Sequence, residues 1–255
     1  MRFAILGSGS QGNCLVVEAR NTRLLLDCGF SVGETLRRLA RLGLAPEQLS
    51  GILVTHEHDD HVGGVARLAR KLRLPVWLTP GTLRGLEGLF AGLEGLHLLE
   101  GYAPLCIGDL EVHPFPVPHD AREPAQYVFG DGVRRLGVLT DTGCATPLMV
   151  RMLSACDALV LESNHDPGLL AAGDYPPALK QRIASRFGHL DNAAAAGLLG
   201  ALDCSRLQHL VAAHLSQSNN HPELARQALA GALACAPDWV AIADQDAGLD
   251  WRQIA

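Results

Sequence analysis

The sequence has 255 residues, of which 48% are hydrophobic and 19% charged, and its formal net charge is −6 at pH 7. This composition is that of a globular protein and excludes an intrinsically disordered chain. The negative charge argues against broad, charge-driven binding of nucleic acid, although metal ions could supply positive charge in a narrow site. No run of eighteen apolar residues is present, so we predict no membrane-spanning helix.

The N-terminus and the cysteines bear on where the protein works. The apolar run near the N-terminus, Phe3–Leu6, is far too short for a secretory signal, so we expect none. The seven cysteines are scattered without a Cys-x-x-Cys pair, which disfavours both a disulfide framework and a thiolate zinc site. We therefore expect a cytoplasmic protein with reduced cysteines.

Strand-like and helix-like segments alternate along the chain. Short apolar runs bounded by turn residues predict strands, and apolar residues at helical spacing predict helices. The predicted strands are Phe3–Leu6, Cys14–Ala19, Arg23–Asp27, Gly51–Thr55, Val76–Leu78, Leu110–Val117, a hairpin over Gln126–Val138 that turns at Gly130–Gly132, Ala158–Leu161, His209–Ala213 and Val240–Ile242. The predicted helices are Glu34–Leu42, Val65–Lys71, Thr82–Gly92, Pro177–Arg186, Asn192–Ala201 and Pro222–Ala234. This order favours an internally duplicated α/β sandwich, and the lack of a clear linker predicts one domain over residues 1–255.

The first motif, Gly7–Gly12, follows a strand and matches the dinucleotide-binding pattern G-x-G-x-x-G. That pattern needs a helix next, so that the helix N-terminus meets the pyrophosphate. The residues that follow, Cys14–Val17, are strand-like instead. We therefore disfavour dinucleotide binding and keep two other interpretations: a turn between strands, or a loop whose backbone N–H groups border an active site.

The second motif, His56–His61, has four ligand-type side chains directly after an apolar strand. If the chain stays extended, His56, His58 and Asp60 point to one side, and His61 lies where the chain turns towards the next helix. A solvated charged loop is the other interpretation, and this density of ligands disfavours it. Imidazole and carboxylate together suit zinc, manganese or iron at catalytic sites.

The pattern His56-x-His58-x-Asp60-His61 resembles the H-x-H-x-D-H signature of the metallo-β-lactamase superfamily. The preceding Leu25–Gly29 is similar to the L-D-x-G element of that family. Further segments resemble its WalJ (YycJ)-like branch, namely Gly7–Cys14, Pro118–Ala121, Thr140–Gly143, Glu162–Asp166, Gly188–Asn192 and His214–Ser216. The resemblance implies a four-layer αββα sandwich of the metallo-β-lactamase fold and a dinuclear metal-dependent hydrolase.

The resemblance also implies a set of metal ligands, because the sequence has a suitable residue at each position. The first site would use His56, His58 and His119, the second would use Asp60, His61 and His214, and Asp141 would bridge the two. The cofactors would be two divalent metal ions per chain, with zinc favoured and manganese as the alternative. His119, Asp141 and His214 each follow a predicted strand, and strand ends are where sheets present chemistry.

Beside the ligand Asp60, which could also accept a proton, further residues are candidates for the chemistry. The resemblance implies that His189 contacts the scissile phosphate or protonates the leaving group, with a structural role as the alternative. His165 could line the same cleft. Asp27 could orient a ligand histidine through the other ring nitrogen, or be an ordinary acid at a strand end.

Together these implications predict a phosphodiesterase or nuclease in which a metal-bridged hydroxide attacks a phosphodiester of DNA or RNA. A thioester or other ester hydrolase of the glyoxalase-II type is one alternative, and an iron-dependent redox protein of the same fold is another. We expect a nucleic acid or a small phosphodiester as the partner, with no membrane and no obligate protein partner. Polar loop residues could contact phosphate, and the candidates are Ser8, Ser10, Asn13, Ser216, Asn219 and Asn220.

Overall fold

The computed structural model describes residues 1–86 and 88–255, and these residues form strands and helices in alternation. The strands are β1 (Arg2–Gly7), β2 (Cys14–Ala19), β3 (Thr22–Leu26), β4 (Gly51–Leu53), β5 (Val76–Leu78), β6 (Leu96–Leu98), β7 (Leu105–Ile107), β8 (Leu110–Pro116), β9 (Ala125–Gly130), β10 (Arg135–Leu139), β11 (Ala158–Glu162), β12 (His209–Ala213), β13 (Val240–Ile242) and β14 (Leu249–Gln253). The α-helices are α1 (Val32–Arg41), α2 (Asp59–Val62), α3 (Val65–Leu72), α4 (Pro80–Gly85), α5 (Pro147–Leu153), α6 (Pro167–Ala172), α7 (Pro177–Ile183), α8 (Asn192–Gly200) and α9 (Pro222–Leu233). Within this described part of the chain, no helix has both the length and the apolar character needed to cross a bilayer.

The strands form two seven-stranded sheets that pack face to face. The first sheet has the order β14-β1-β2-β3-β4-β5-β6, and the second has the order β13-β12-β11-β10-β9-β8-β7. The core between them contains Phe3 and Val17 from the first sheet and Tyr127 and Phe129 from the second. Helices α1 and α3 cover the outer face of the first sheet, and α5, α8 and α9 cover that of the second. This arrangement is a four-layer αββα sandwich, as predicted.

The alternation of side chains along each strand explains why both faces of the sheets are apolar. On β2, Leu15 and Val17 enter the core between the sheets, whereas Val16 enters the core beneath the helices. Strands β3 and β4 run parallel, as do β10, β11, β12 and β13. The carboxyl ends of these parallel strands meet at one edge of the sandwich, the usual place for functional groups in α/β sheets.

Two predicted turns have the expected structure. Strands β9 and β10 form the predicted hairpin, in which the Asp131 carboxylate accepts the N–H groups of Val133 and Arg134. The glycine-rich segment Gly7–Gly12 joins the antiparallel strands β1 and β2, with no helix after it. The motif therefore lacks the helix N-terminus that binds a dinucleotide pyrophosphate.

The main differences from prediction lie in a glycine-rich segment and in short elements. The helix predicted over Thr82–Gly92 is wrong in its extent, because α4 ends at Gly85; residue 87 of that range lies outside the described residues. Gly88 and Gly92 have φ angles of 86° and 69°, which turn the chain away from a helix. Elements β6, β7, β14, α2, α5 and α6 were not predicted, since three to seven residues carry too little periodicity. The prediction of a single domain stays a prediction.

Candidate metal centre

The chain after β4 stays extended only as far as His58. Helix α2 begins at Asp59, with His58 as its N-cap, and the N–H of His61 donates to the His58 carbonyl. The expectation that extended backbone carries Asp60 to the same side as His56 is therefore wrong. Asp60 reaches the cluster from the first turn of a helix instead.

The close packing of two loops explains the glycine of the L-D-x-G segment. A Cβ added at Gly29 would lie 1.8 Å from the carbonyl oxygen of Asp60. The same Asp60 carbonyl accepts the N–H of Asn13, and the His61 carbonyl accepts the N–H of Cys28. The loops after β1 and β3 thus hold α2 at the edge of the first sheet through backbone hydrogen bonds. These bonds fix the positions of two candidate ligands, Asp60 and His61.

Ligand-type side chains from both sheets converge at this edge of the sandwich. His119 follows β8, Asp141 follows β10 and His214 follows β12, and all three join the side chains of the His56–His61 segment. Within each of four overlapping sets, the ligand atoms lie within 4.8 Å of one another. The sets are His56, His58 and His119; His56, His61 and Asp141; Asp60, His61 and His214; and Asp141, Glu162, His189 and His214.

Three imidazoles form the first of these sets. The Nε2 atom of His56 lies 3.0 Å from Nδ1 of His58, and Nε2 of His119 lies 3.2 Å from the same Nδ1. Ligands around a tetrahedral zinc ion are separated by roughly 3.3 Å, given Zn–N bonds of about 2.0–2.1 Å. The spacing of the three nitrogens therefore fits one divalent cation.

The adjacent metal position is formed by two aspartates and two histidines, namely Asp60, Asp141, His61 and His214. The Nε2 atom of His61 lies 3.4 Å from Oδ2 of Asp60 and 3.1 Å from Oδ2 of Asp141. The Nε2 atom of His214 lies 3.6 Å from Oδ2 of Asp60. Because Asp141 belongs to one set with His56 and to another with His214, its carboxylate lies between the two positions.

Two buried polar atoms in this cluster test whether it suits a metal. Oδ2 of Asp141 and Nε2 of His214 are buried and form no hydrogen bond within the described residues. An unpaired buried acceptor is costly, so a native protein normally gives it a partner. Both atoms point into the cluster and have the chemistry of a metal ligand, and a divalent cation would satisfy them.

In three of the histidines, Nδ1 faces away from the cluster and forms a hydrogen bond, which leaves Nε2 available to a metal. These are His61, His119 and His214. Nδ1–H of His61 donates to Oδ2 of Asp27 at 2.8 Å, which is the contact predicted for Asp27. Nδ1–H of His119 donates to the carbonyl of Gly188, and Nδ1–H of His214 donates to Oε1 of Glu162. Each bond fixes the tautomer in which Nε2 carries the lone pair that a metal needs.

Three residues of the centre have left-handed backbone conformations. Asp27, Asp141 and His214 have φ angles of 60°, 52° and 55°, and each comes within two residues of a strand end. This region is uncommon for residues other than glycine, and such strain is concentrated at functional sites. The sharp turn directs each side chain back across the end of its sheet towards the cluster.

Glu162 is the residue of the site that the sequence prediction missed. Its side chain is fully buried at the end of β11, and it accepts the N–H groups of Asp141, Thr142 and Leu190, each at 3.0 Å. Burial raises the pKa of Glu162, but the charge and hydrogen bond of His189, together with the hydrogen bond of His214, outweigh burial and bring the pKa down to about 2. A carboxylate at the end of an otherwise apolar strand was the available signal.

His189 lies at the wall of the cleft, with one nitrogen held and the other free. Its Nδ1–H donates to Oε1 of Glu162 at 2.8 Å, and Nε2 forms no hydrogen bond within the described residues. Burial lowers the pKa of His189, but the carboxylates of Glu162 and Asp141 more than compensate, so that the net pKa is raised. A protonated imidazole held in this way can donate a proton to a group in the cleft.

The predicted catalytic residue His165 is not brought to the cleft. It is 2% exposed, its backbone bridges to Asp191, and its Nδ1 lies 3.3 Å from Oδ1 of Asn164. Among the described residues, the cleft lining includes the neighbouring Asn164 but not His165. Burial lowers the pKa of His165, which favours a neutral packing residue.

The predicted substrate contacts divide into two groups. Ser10 and Ser216 line the cleft. Ser8 and Asn13 are buried beneath it, where Ser8 accepts the N–H of His214 and Asn13 donates to Oδ2 of Asp60. The other two, Asn219 and Asn220, are also buried, and their side chains bond to Ser216 and Ser163. The structure does not bring these four residues to the cleft, because the protein itself uses their polar atoms.

The cleft above the cluster has a volume of about 400 Å³, within the range of small-ligand sites. Its floor is acidic and rich in histidine, and one wall is formed by α7 and the residues around it. The lining residues are Ser10, His58, Asp59, Asp60, Asp120, Asp141, Asn164, Tyr175, Leu179, Arg182, Ile183, Gly188, His189, His214 and Ser216.

Comparison with known proteins agrees with this geometry. The chain is 38% identical over 235 residues to the exodeoxyribonuclease YycJ of Bacillus anthracis, covering 91% of this chain and 89% of that protein. It is 34% identical over 255 residues to the exodeoxyribonuclease WalJ of Streptococcus pneumoniae, covering 98% and 92%. The structure of the metallo-β-lactamase fold protein YhfI from Bacillus subtilis matches with a TM-score of 0.76 at 16% identity, covering 99% of each chain.

The family assignment follows from the extent of these matches. The family model for the β-lactamase superfamily domain matches the sequence of this chain over residues 22–214, a stretch that contains all seven predicted ligands. The structural likeness confirms the predicted metallo-β-lactamase fold. The chain therefore belongs to the β-lactamase superfamily and, within it, to the group of proteins that includes YycJ and WalJ.

Proposed function

We propose that this protein is a metal-dependent phosphodiesterase that removes nucleotides from DNA. The observation that supports it best is the convergence of seven ligand-type side chains on one site. Two of them, Asp141 and His214, each have a buried atom without a hydrogen bond, namely Oδ2 and Nε2. The relatives that match nearly the whole chain are named exodeoxyribonucleases. A DNA substrate and seven free cysteines fit the predicted cytoplasmic location.

The residues present suit two divalent cations, with zinc favoured and manganese as the alternative. His56, His58 and His119 would hold one, Asp60, His61 and His214 would hold the other, and Asp141 would be shared. When bound, such a pair supplies charge stabilisation for a phosphoryl group and lowers the pKa of a water molecule. The protein supplies the fixed geometry, because Asp27, Glu162 and the Gly188 carbonyl orient the imidazoles.

His189 is the proposed general acid. Glu162 holds Nδ1 and stabilises the imidazolium, which leaves Nε2 to give its proton to the oxygen of the leaving nucleotide. Asp60 is the proposed proton acceptor, and its Oδ2 accepts a hydrogen bond from Asn13 and lies 3.4 Å from Nε2 of His61. Ser10 and Ser216, which line the cleft, are the proposed donors to non-bridging phosphate oxygens.

A metal-defined activity panel tests the proposed function. The metal-free protein is loaded with zinc or manganese and offered bis-(p-nitrophenyl) phosphate, single-stranded DNA, RNA, a thioester and a β-lactam. We expect metal-dependent hydrolysis of the phosphodiesters and release of mononucleotides from DNA. Thioester turnover without phosphodiester turnover would instead identify a hydrolase of the glyoxalase-II type. Electron transfer without hydrolysis would identify a redox protein of this fold.

A further inference from the structure

One wall of the cleft is a segment that lies outside the hydrophobic core clusters of the fold. Residues 173–187, here called the cleft-wall segment, connect α6 to His189 and contain α7. None of these residues is buried, although the segments on either side of it enter the core. A stretch of fifteen residues with no buried member contributes little to the stability of the fold, so its sequence reflects another requirement.

Three apolar side chains of this segment face the cleft. Leu179 and Ile183 are four residues apart on α7 and therefore lie on the same side of that helix. Tyr175 lies just before the helix, and all three side chains line the cleft. Each is only partly exposed, and none belongs to a core cluster. An aromatic ring with two aliphatic neighbours at the mouth of a metal site offers a flat apolar surface to part of a substrate.

A single cation accompanies this apolar surface in the cleft. Among the described lining residues, Arg182 is the sole lysine or arginine. Its Nε donates to Oδ2 of Asp120, and its two terminal nitrogens form no hydrogen bond within the described residues. Oδ1 of the same Asp120 lies 3.5 Å from Nε2 of His119. Arg182 is thereby held next to the proposed first metal position, with donors free for an anion.

An aromatic side chain and a guanidinium with unbonded terminal nitrogens in one cleft have the chemistry of a nucleotide-binding site. Bases stack on aromatic side chains, and arginine binds phosphate through paired N–H groups. A base can stack on Tyr175 only when it has left its neighbours, so the site suits one nucleotide at the end of a strand and not the interior of a duplex. The cleft volume of about 400 Å³ accommodates a unit of that size.

Resting on the proposed phosphodiesterase function, we propose that Tyr175 and Arg182 form a subsite for the terminal nucleotide of a nucleic acid strand. The base stacks on Tyr175 against Leu179 and Ile183, and Arg182 binds a phosphate next to the scissile one. The subsite determines which substrates are cleaved efficiently, while the metal centre and His189 perform the reaction.

The test compares oligonucleotides that carry or lack a terminal base. Three DNA strands of equal length are used: one complete, one with an abasic residue at the 5′ end, and one with an abasic residue at the 3′ end. In the wild-type protein loaded with metal, we expect kcat/KM to fall when the base is missing from the attacked end. The Tyr175→Ala variant should lose this preference, with kcat/KM for the complete strand reduced about tenfold.

Arg182→Gln tests the phosphate contact. We expect a higher KM for all three strands. We also expect a weaker salt dependence, in which the negative slope of log(kcat/KM) against log[salt] decreases in magnitude by about 0.7. Lys180→Met is the matched control, because the Lys180 ammonium already donates to the Ala171 carbonyl and does not line the cleft. It should keep the wild-type preference for the terminal base. Binding of the three strands to the metal-free proteins, followed by fluorescence anisotropy, gives a readout independent of turnover.

The possible failures are distinguishable. If no strand is hydrolysed under any metal condition, the proposed phosphodiesterase function fails. If the strands are hydrolysed but Tyr175→Ala keeps the wild-type ratio between complete and abasic strands in both turnover and binding, the subsite is refuted while the function stands. Thermal melting and metal content of each variant are measured first, so that unfolding or metal loss is not mistaken for lost recognition.

Discussion

The metal centre beneath the cleft and the cleft-wall segment are built in opposite ways. In the metal centre, Glu162 is fully buried and bonds three backbone N–H groups and two imidazoles, so that its position is determined many times over. In the cleft-wall segment no residue is buried, and Arg182 is 59% exposed. Chemistry requires geometry fixed to a fraction of an ångström, whereas recognition tolerates change. The contrast indicates that substrate preference can change in this fold without disturbing the reaction.

The shared ligand should have the largest effect of any single substitution. Asp141→Asn removes the charge common to both metal positions, and we expect bound metal to fall well below two ions per chain. Activity should fall by about 10³-fold or more, because several kcal/mol of charge stabilisation are lost. Metal analysis by mass spectrometry and phosphodiesterase assays check this. Two fully occupied sites with wild-type turnover would show that Asp141 is not a ligand.

His189→Ala should separate proton transfer from metal binding. We expect an unchanged metal content and a fall in kcat of about 10²–10⁴-fold, since a positioned acid is removed. His165→Ala is the comparison, because that side chain does not line the cleft and should leave kcat nearly unchanged in folded protein. Because His189 belongs to one ligand set with Asp141 and His214, metal loss in His189→Ala would make it a ligand and contradict the proposed role.

Glu162→Gln should change the pH profile as well as the rate. The Glu162 carboxylate raises the pKa of His189, so the protonated, active form persists to higher pH in the wild type. Removing that charge lowers the His189 pKa, and the basic limb of the kcat/KM profile should move to lower pH. We also expect a fall in metal affinity or activity of about 10–100-fold. An unshifted basic limb would mean that another group is responsible for it.

The smallest effect is expected in the cleft-wall segment. Leu179→Ser should change the free energy of unfolding by less than about 0.5 kcal/mol, as for most surface positions. Leu198→Ala in α8 is the buried control and should cost about 2–5 kcal/mol, because it leaves a cavity in the core. Urea denaturation measures both. A large loss for Leu179→Ser would show that the segment is part of the folded core and not a free surface.

The local part of the site could be predicted from the sequence, and the rest depends on tertiary contacts. Four ligand-type side chains lie within the six residues His56–His61, and this high local density alone indicates a metal site. His119 and His214 are single histidines, and only the resemblance to a family and their position after strands marks them. Glu162 looks like any acid at a strand end, because the three N–H groups that it accepts come from distant loops.

Other features that could not be predicted from the sequence also depend on tertiary contacts. Asn13 belongs to a polar loop, and nothing local tells a residue that faces the cleft from one that holds a ligand beneath it. Strand β14 exists because it pairs with β1 at the other end of the chain. The fold class was predictable because the alternating elements and the family signature agree, whereas the cleft-wall segment has no signature until its apolar side chains are seen together.

The left-handed conformation of Asp27, Asp141 and His214 affects how the centre can be dissected by mutagenesis. Alanine scanning assumes that only the side chain is removed, but alanine at φ near 55° keeps the steric cost of a Cβ while losing the bonds that hold the residue there. Glycine adopts this backbone freely. At these three positions, glycine variants report the loss of the side chain alone, which is a proposed ligand at Asp141 and His214 and the hydrogen bond to His61 at Asp27. Alanine variants combine that loss with a distorted loop.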